Sequence, residues 1–361
     1  MIRLTIDEGN APPKTGIGVY GAGLRSALRT YAAGEVEVSD AGASWTGTSV
    51  RPLRRAVHTV RLNLLRRALY HGADVVHFTN NYIPPRVGRV AYVATVHDID
   101  PILLPSAHTR RYTLYFSTVI RSTLARSHVL EVHSEALRQD LLSRYSLDPA
   151  RVIVGGDGLS PEFTTLADAT ERTLPPVPTL LYVGLINLKK NSPWLVRTII
   201  RGVRSGALPA LRLILAGRDG QGFDEVQRGL EEAPDIVAWQ RTPSFPDLLR
   251  LYCGCTAVVL PSLSEGFGRP LLEGMYCGKA VIASRIPTSV EVAGDAATFF
   301  DLGDTDSFYH AVRSAVSGAP TEPQRASAAE RLRHYSWERL ARVYLSLYRT
   351  AVNLSTNHGT N

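Results

Sequence analysis

The chain has 361 residues, a length that fits two domains better than one small module. Hydrophobic residues make up 44% and charged residues 20%, a globular composition that excludes disordered and collagen-like proteins. The net charge of +7 predicts attraction to phosphates or anionic surfaces without distinguishing between them.

The cysteine content and the absence of long apolar runs bear on the compartment. Three cysteines without zinc or redox spacing favour a reducing environment. No apolar run approaches the roughly 18–20 residues that span a bilayer, and the N-terminus has acids where a signal peptide needs cations. We expect a cytoplasmic protein, with a peripheral place at the inner face of the membrane as an open alternative.

Short apolar runs recur along the chain, and each ends in small or polar residues. Between them lie stretches with apolar residues at helical spacing, such as 137–145 and 191–203. Runs this continuous predict strands buried on both faces, and the alternation predicts a doubly wound α/β architecture. The predicted strands lie at residues 74–80, 91–98, 128–134, 151–158, 180–184, 212–217, 257–262 and 280–284.

One stretch breaks this alternation and predicts the domain organisation. Residues 166–178 are polar with three prolines and predict a linker between an N-terminal domain, 1–165, and a C-terminal domain, 179–336. Amphipathic spacing predicts a helix over 337–352, which we expect to return to the N-terminal domain. We expect a disordered tail over 353–361.

The strongest local signal is the segment 261–284. It predicts a strand end, a loop through Gly266 and Gly268, and a helix that begins near Pro270. Backbone N–H groups and a helix N-terminus then face the mouth of the sheet, an arrangement that binds anions or sugars.

Two carboxylates belong to this segment. Glu265 lies on the loop and Glu273 eight residues later in the first helical turns, where both can point at one ligand. The alternative is a solvated loop acid and an exposed helix acid. The flanking glycine loop favours the first interpretation, in which both carboxylates point at one ligand.

The predicted first domain has a turn glycine pair, Gly16 and Gly18, and a histidine, His97, at a strand end. The glycines allow close approach of a ligand to the backbone, or simply form a tight turn. A neutral His97 imidazole can hydrogen-bond a sugar, or it is a structural residue with satisfied partners.

A basic segment over residues 51–71 carries arginines on one face of a predicted helix. It is either a surface helix that packs on the sheet or a docking face for an anionic membrane surface or a phosphorylated acceptor. The acid-free stretch 101–130, with four arginines, adds to the second interpretation.

The segment 261–284 resembles the E-x7-E signature of GT-B fold glycosyltransferases, particularly the retaining family 4. This resemblance implies two Rossmann-like, doubly wound parallel-sheet domains that face a cleft. Further similar motifs follow in the expected order at residues 15–20, 93–101, 132–141, 182–191, 216–220 and 289–297.

The resemblance implies that the second domain binds a nucleotide sugar and the first holds the acceptor. Glu273 would contact the ribose hydroxyls, Glu265 the sugar and Lys190 the diphosphate. Many relatives place an Arg after the glycine of this strand, where Leu185 stands here, so the second phosphate cation stays open among Lys189, Arg218 and Arg269, in that order. The implied catalytic residues are His97, Glu265 and Lys190; the donor-binding residues are Gly16, Gly18, Gly184, Lys189, Lys190, Arg218, Glu265, Gly266, Phe267, Gly268, Arg269, Pro270, Leu271 and Glu273; and the acceptor-binding residues are Asp98 and Tyr20.

Two acidic clusters suggest metals at first sight. Asp98 and Asp100 form a D-x-D, which in the other glycosyltransferase fold chelates a divalent metal. A single domain of that fold would not explain a second nucleotide-type half, so we interpret Asp98 as a capping or supporting residue and expect no metal and no cofactor. Asp301, Asp304 and Asp306 lack calcium-loop spacing and predict a helix-capping turn.

The predicted function is transfer of a hexose from a nucleoside diphosphate sugar to the hydroxyl of a glycan, lipid-linked or small-molecule acceptor, with retention. Residues 97–101 and 188–191 resemble the mannosyltransferase branch, which makes GDP-mannose the first choice of donor. The alternatives are a non-catalytic nucleotide-sugar or polyanion-binding protein and a nicotinamide-dependent oxidoreductase. No nucleic acid partner is expected.

Overall fold

A computed structural model describes residues 1–8, 15–40, 70–80, 83 and 90–357. The chain divides into two compact units. The first unit comprises Met1–Ile99, Arg111–Ser160 and Tyr335–Asn361, and the second unit comprises Asp100–Arg110 and Pro161–His334.

Each unit contains a parallel sheet of six strands. The strand order is β2-β1-β3-β4-β5-β6 in the first unit and β12-β11-β10-β7-β8-β9 in the second. The strands are β1 Ile2–Asp7, β2 Val36–Asp40, β3 Val75–Phe78, β4 Ala91–Val96, β5 Val129–Val132, β6 Val152–Val154, β7 Thr179–Val183, β8 Arg212–Ala216, β9 Val237–Gln240, β10 Ala257–Leu260, β11 Ala280–Ser284 and β12 Ala297–Phe300.

Helices alternate with these strands along the described chain. They are α1 Gly16–Tyr31, α2 Asp100–Leu103, α3 Arg110–Arg126, α4 Glu135–Arg144, α5 Pro161–Ala169, α6 Ser192–Arg204, α7 Phe223–Glu232, α8 Phe245–Gly254, α9 Arg269–Tyr276, α10 Pro287–Ala293, α11 Thr305–Val316, α12 Glu322–His334 and α13 Trp337–Asn357. No helix in the described ranges is both long and apolar enough to cross a bilayer.

The predicted doubly wound parallel-sheet architecture is confirmed. All eight predicted strands form, and the most apolar of them, such as β4, β5 and β10, are buried along their whole length. This burial explains why they read as continuous apolar runs rather than as alternating ones. Strands β2, β9 and β12 were not predicted.

The C-terminal helix α13 belongs to the core of the first unit. Its Trp337, Leu340, Tyr344 and Tyr348 are buried against α1 and the sheet. Helix α1 has Gly23 at this contact, where a Cβ would lie 2.6 Å from the Trp337 ring. The close packing of the two helices therefore requires glycine there.

Two predictions of irregular structure need correction. The predicted linker 166–178 overlaps α5, because Phe163 and Ala167 are buried at helical spacing and Phe163 contacts the rings of Phe245 and Tyr252. The second unit accordingly begins at Pro161, and the proline-rich residues come later.

The predicted disordered tail, 353–361, is helical as far as Asn357, where Ser355 is still buried. The apolar periodicity of α13 thus continues past residue 352. Residues 358–361 lie outside the described part of the chain, as do residues 51–69 of the basic segment.

Candidate functional site

Two loops meet at the carboxyl end of the sheet of the second unit. One follows β7 and contains Lys190, and the other follows β10 and contains Glu265. Because β7 and β10 are hydrogen-bonded neighbours, both loops leave the sheet at the same edge. The backbone N–H of Leu263 donates to the carbonyl of Lys189 over 2.9 Å and joins the loops.

Lys190 and Glu265 form an ion pair between these loops. The Lys190 ammonium lies 2.5 Å from Oε1 and 2.6 Å from Oε2 of Glu265. Burial by itself would raise the pKa of Glu265, but Lys190 and Lys189 hold that pKa below its usual value. Ser262 Oγ also donates to Oε1 over 2.6 Å, so the carboxylate is ionised and fixed.

Lys189 has a separate carboxylate partner. Its ammonium pairs with Asp100, the buried first residue of α2, which also accepts a hydrogen bond of 2.6 Å from Ser264 Oγ. Lys189 was the first candidate for the second phosphate cation, and here its charge is balanced. Asp100 is also the second acid of the D-x-D, so that acid already has protein partners.

Glu273 lies in α9 and is held by two side chains. Tyr252, fully buried in α8, donates its hydroxyl proton to Glu273 Oε2. Arg269, four residues earlier in the helix, places Nε 3.6 Å from Oε1. The helix begins after Gly268, whose φ of +89° places it in the left-handed region that favours glycine.

Gly184 lies where the loop after β7 crosses the loop after β8. Its carbonyl oxygen would be 1.9 Å from a Cβ on Gly217, and both glycines have φ near +145°. The positive φ therefore accounts for Gly184 without a ligand, and the close backbone contact accounts for Gly217. Arg218, the next residue of the β8 loop, is exposed.

The remaining predicted donor residues lie in the loop and the start of α9. Phe267 and Leu271 are buried, so their side chains belong to the core of the second unit rather than to an open ligand surface. Pro270 is the second residue of α9, as the sequence predicted for the helix start. Gly266 lies in the buried part of the loop.

In the first unit, Gly16 and Gly18 begin helix α1. The backbone N–H of Gly18 donates to Oγ1 of the N-cap residue Thr15 over 3.3 Å. A Cβ on Gly16 would meet no atom within 4 Å, so packing gives no reason for glycine at this position.

His97 follows β4, and both of its ring nitrogens have protein partners. Nε2 lies 2.9 Å from the Thr79 carbonyl oxygen and Nδ1 lies 2.8 Å from His133 Nε2. A ring nitrogen of His97 must therefore exchange a partner before it can bond a sugar. Asp98 follows directly and is partly exposed.

The predicted acceptor contact of Tyr20 needs correction. Tyr20 is 1% exposed, and its hydroxyl bonds Thr95, Glu131 and Tyr344 inside the first unit. Tyr20 lies on the face of α1 that packs against the sheet, and this packing buries its ring.

Some residues of the site gave no clear signal in the sequence. Tyr252 and Ser262 are ordinary residues of a helix and a strand end, and only the fold brings them to Glu273 and Glu265. Glu131 did carry a signal, because a lone acid in a strand buried on both faces needs a partner.

The acidic triplet after β12 is a capping turn, as predicted. Asp304 is the N-cap of α11, and its Oδ1 accepts a hydrogen bond of 2.9 Å from the Ser307 N–H.

Two parallel-sheet units, with a lysine–carboxylate pair on the strand-end loops of the second, define the class of GT-B glycosyltransferases. The chain belongs to this class by sequence as well: residues 30–163 match the family model described as Glycosyltransferase Family 4, and residues 177–317 match the one described as Glycosyl transferases group 1.

Relatives and solved structures agree with this family. The chain is 26% identical to O-antigen chain mannosyltransferase B of Escherichia coli, over 86% of this chain and 85% of the relative. It is 26% identical to alpha-maltose-1-phosphate synthase of Mycolicibacterium smegmatis, over 96% and 99%. Sucrose-phosphate synthase from Thermosynechococcus elongatus has the same fold, with a TM-score of 0.72 and 17% identity over 97% of this chain and 98% of that chain.

Proposed function

We propose that this glycosyltransferase transfers a hexose from a nucleoside diphosphate sugar to an acceptor hydroxyl in glycan biosynthesis, with mannose from GDP-mannose as the first donor to test. The Lys190–Glu265 pair is the observation that carries the proposal. The mannosyltransferase name of the Escherichia coli relative supports mannose, whereas the Mycolicibacterium relative is named for a maltose-1-phosphate product.

The pair suits a nucleotide-sugar donor because the cation can bind the diphosphate and the carboxylate can bind the sugar. The Lys190 ammonium can exchange the Glu265 carboxylate for an oxygen of the diphosphate, a group with two negative charges instead of one. Glu265, still bonded by Ser262 Oγ, then has a free oxygen to accept a sugar hydroxyl. One ion pair thereby holds both loops ready before the donor arrives.

Glu273 is proposed to accept hydrogen bonds from the ribose hydroxyls. A carboxylate can accept two hydrogen bonds from a cis-diol. The Tyr252 hydroxyl and the Arg269 guanidinium fix the carboxylate within α9, so its orientation is set before binding.

The transfer is proposed to retain the anomeric configuration and to need no divalent metal. Lys190 and the N-terminus of α9 offset the charge of the leaving diphosphate, which itself helps to deprotonate the acceptor. Proton NMR of the first-formed product decides between retention and inversion. Full loss of activity in EDTA with rescue by manganese would contradict the metal-free scheme.

The donor is tested by thermal unfolding with GDP, UDP, dTDP and ADP, followed by turnover of the matching sugar nucleotides. A nucleotide at about 100 times its Kd stabilises the protein by about 2.7 kcal/mol. Stabilisation by GDP with release of GDP from GDP-mannose supports the proposal. Binding of a nucleotide without release of any sugar would favour the non-catalytic binding protein.

The acceptor partner is proposed to lie at an anionic membrane surface. The exposed face of helix α3 supports this part of the proposal. Leu114 and Tyr115 are 63% and 52% exposed beside the exposed Arg111 and Arg121. Residues 101–130 contain no acid. Apolar and basic side chains on one exposed helix face suit the interface of an anionic bilayer.

A further inference from the structure

A buried chain of hydrogen bonds that ends in an ion pair runs behind His97 in the first unit. His97 follows β4 and His133 follows β5, so both rings lie at the same edge of the sheet. His97 bonds the Thr79 carbonyl through Nε2 and His133 through Nδ1, as described above. At the far end, His133 Nδ1 lies 3.2 Å from Oε1 of Glu131.

The partners assign the protons along this chain. The Thr79 carbonyl only accepts, so Nε2 of His97 carries a proton. The Glu131 carboxylate is the ionic partner of His133 Nδ1, and its negative charge favours a proton on that nitrogen. A single proton remains between the two rings, and the adjacent carboxylate places the positive charge on His133 rather than on His97. His133 is then an imidazolium, and His97 is the neutral Nε2–H tautomer.

The pKa directions agree with this assignment. Burial would lower the pKa of His133, but Glu131 raises it above its ordinary value. Burial and the neighbouring His133 lower the pKa of His97 to about 4. Burial would raise the pKa of Glu131, yet His133 and the groups around it bring it to about 2.

Glu131 is fixed by a second bond and has no exposed surface. Its Oε2 accepts a hydrogen bond of 3.1 Å from Tyr20, whose hydroxyl also lies 2.9 Å from Tyr344. The titratable and charged groups that face His133 are Glu131 of β5, His97 after β4, Asp157 after β6, Tyr20 of α1 and, through Glu131, His77 of β3 and Tyr344 of α13.

Packing alone does not account for a carboxylate here. The other residues of β5 are Val129, Leu130 and Val132, all fully buried. A buried ion pair is often no more stable than apolar residues of similar volume, because both charges lose their hydration. The pair is therefore better explained by what it does to His97.

We propose that Glu131 and His133 are positioning residues that hold His97 in its Nε2–H tautomer. This N–H can then leave the Thr79 carbonyl and donate its hydrogen bond to a substrate oxygen instead. The proposal rests on the proposed function and on the expectation from the sequence that His97 hydrogen-bonds the transferred sugar. Without the imidazolium, His97 could carry its proton on either nitrogen, and the orientation of the ring would lose its anchor.

The proton assignment is tested without substrate by long-range ¹H–¹⁵N NMR of the histidine rings in the full chain. We expect a doubly protonated His133 and a His97 protonated at Nε2 alone at pH 7. In Glu131→Gln, His133 should become neutral. A neutral His133 in the wild type would overturn the proposal, whatever the activity.

The consequence for transfer is tested in the same variant. Glu131→Gln should lower kcat about tenfold or more, the factor for one well-oriented hydrogen bond in the transition state, with KM for the donor nearly unchanged. The wild-type rate should fall at alkaline pH as His133 loses its proton, and this limb should move to lower pH in the variant.

His77→Gln is the matched control, since His77 is equally buried and bonds Thr95 and Tyr348 rather than His97 or His133. Its kcat should stay near wild type. If Glu131→Gln and His77→Gln lower kcat equally, the chain acts only through stability and the proposal fails. If Glu131→Gln does not fold, the wild-type spectra and pH profile still decide. An inactive wild type with the expected spectra would count against the proposed function alone.

Discussion

The Lys190 ammonium lies between the two carboxylate oxygens of Glu265, 75 residues further along the chain, at 2.5 and 2.6 Å. Of the two side chains, that of Glu265 is the more deeply buried, at 5% exposure against 18%. The stability of the two loops therefore depends more on a counter-ion for Glu265 than on one for Lys190.

This asymmetry predicts how the two loops respond to mutation. Lys190→Ala leaves a buried carboxylate without its closest cation and should lower the free energy of unfolding by about 2–3 kcal/mol. Glu265→Gln should cost less, because an amide still accepts from Ser262 and Lys190. Denaturant unfolding measures both.

The double variant Lys190→Ala/Glu265→Gln separates stability from function. It should be more stable than Lys190→Ala alone, since no buried charge remains, yet it should not bind the donor nucleotide. Donor binding at the wild-type level in this double variant would remove the site from the proposed function.

Gly16 gives a test of ligand approach to the first unit. Because a Cβ meets nothing within 4 Å, Gly16→Ala should leave stability unchanged or raise it by up to about 1 kcal/mol. If a substrate contacts this backbone, kcat/KM should fall. Gly34→Ala is the matched control, an equally open glycine in an exposed turn, and should leave kcat/KM unchanged. Equal activity of both variants would contradict a ligand contact at Gly16.

The hydrogen bond from Tyr252 to Glu273 predicts an effect on the nucleotide. Tyr252→Phe frees the Glu273 carboxylate to rotate and should weaken nucleotide binding by about 1 kcal/mol, roughly fivefold in Kd, by calorimetry. Tyr276→Phe removes a tyrosine–carboxylate bond of the same helix, 3.0 Å to Asp168, and serves as the control. An unchanged Kd for Tyr252→Phe would show that Glu273 does not depend on this bond.

Burial of His77 predicts acid sensitivity of the first unit. Burial lowers the pKa of His77 from 6.5 to about 4, so the unfolded chain takes up this proton first as the pH falls. The stability that His77 contributes is present above pH 6.5 and is lost toward pH 4, about 2 kcal/mol of it between pH 7 and pH 5. His97, whose pKa is also lowered to about 4, adds a loss of the same sign. Denaturant unfolding at both pH values measures this loss.

His77→Gln tests the assignment of that loss. The variant should show a smaller decrease between pH 7 and pH 5, because one fewer buried imidazole resists protonation. Glu131 does not contribute in this range, since its pKa of about 2 affects stability only below about pH 4.5. An undiminished decrease in His77→Gln would assign the effect to other groups.

The exposed face of α3 predicts binding to anionic vesicles. Arg111→Gln with Arg121→Gln should weaken binding to phosphatidylglycerol vesicles by about 1 kcal/mol per arginine at low salt. Leu114→Ser with Tyr115→Ser should weaken it further at high salt, where the apolar part remains. Co-sedimentation measures both.

The control for this surface lies on α6 of the second unit. Arg201→Gln with Arg204→Gln removes two arginines from a helix without large exposed apolar residues in its described range. These changes should have little effect on vesicle binding. A wild type that does not bind anionic vesicles would contradict the membrane part of the proposal.

The sequence by itself determined the two parallel sheets, the loop and helix around Glu265, the start of α9 and the cap at Asp304. These features follow from local causes: burial on both faces makes a strand continuously apolar, and glycine, proline and aspartate mark turns within a few residues. It could not determine that α5 replaces the first part of the linker or that α13 extends to Asn357, because the boundary of a helix depends on what packs against it.

Only the tertiary structure decided which groups face each other across long sequence separations. It paired Lys190 with Glu265 and Lys189 with Asp100, placed Tyr20 in the core, and attached both nitrogens of His97 to protein partners. Strand order brings the ends of β4 and β5, and of β7 and β10, side by side. The protonation and availability of a buried group depend on these neighbours, which no local pattern specifies.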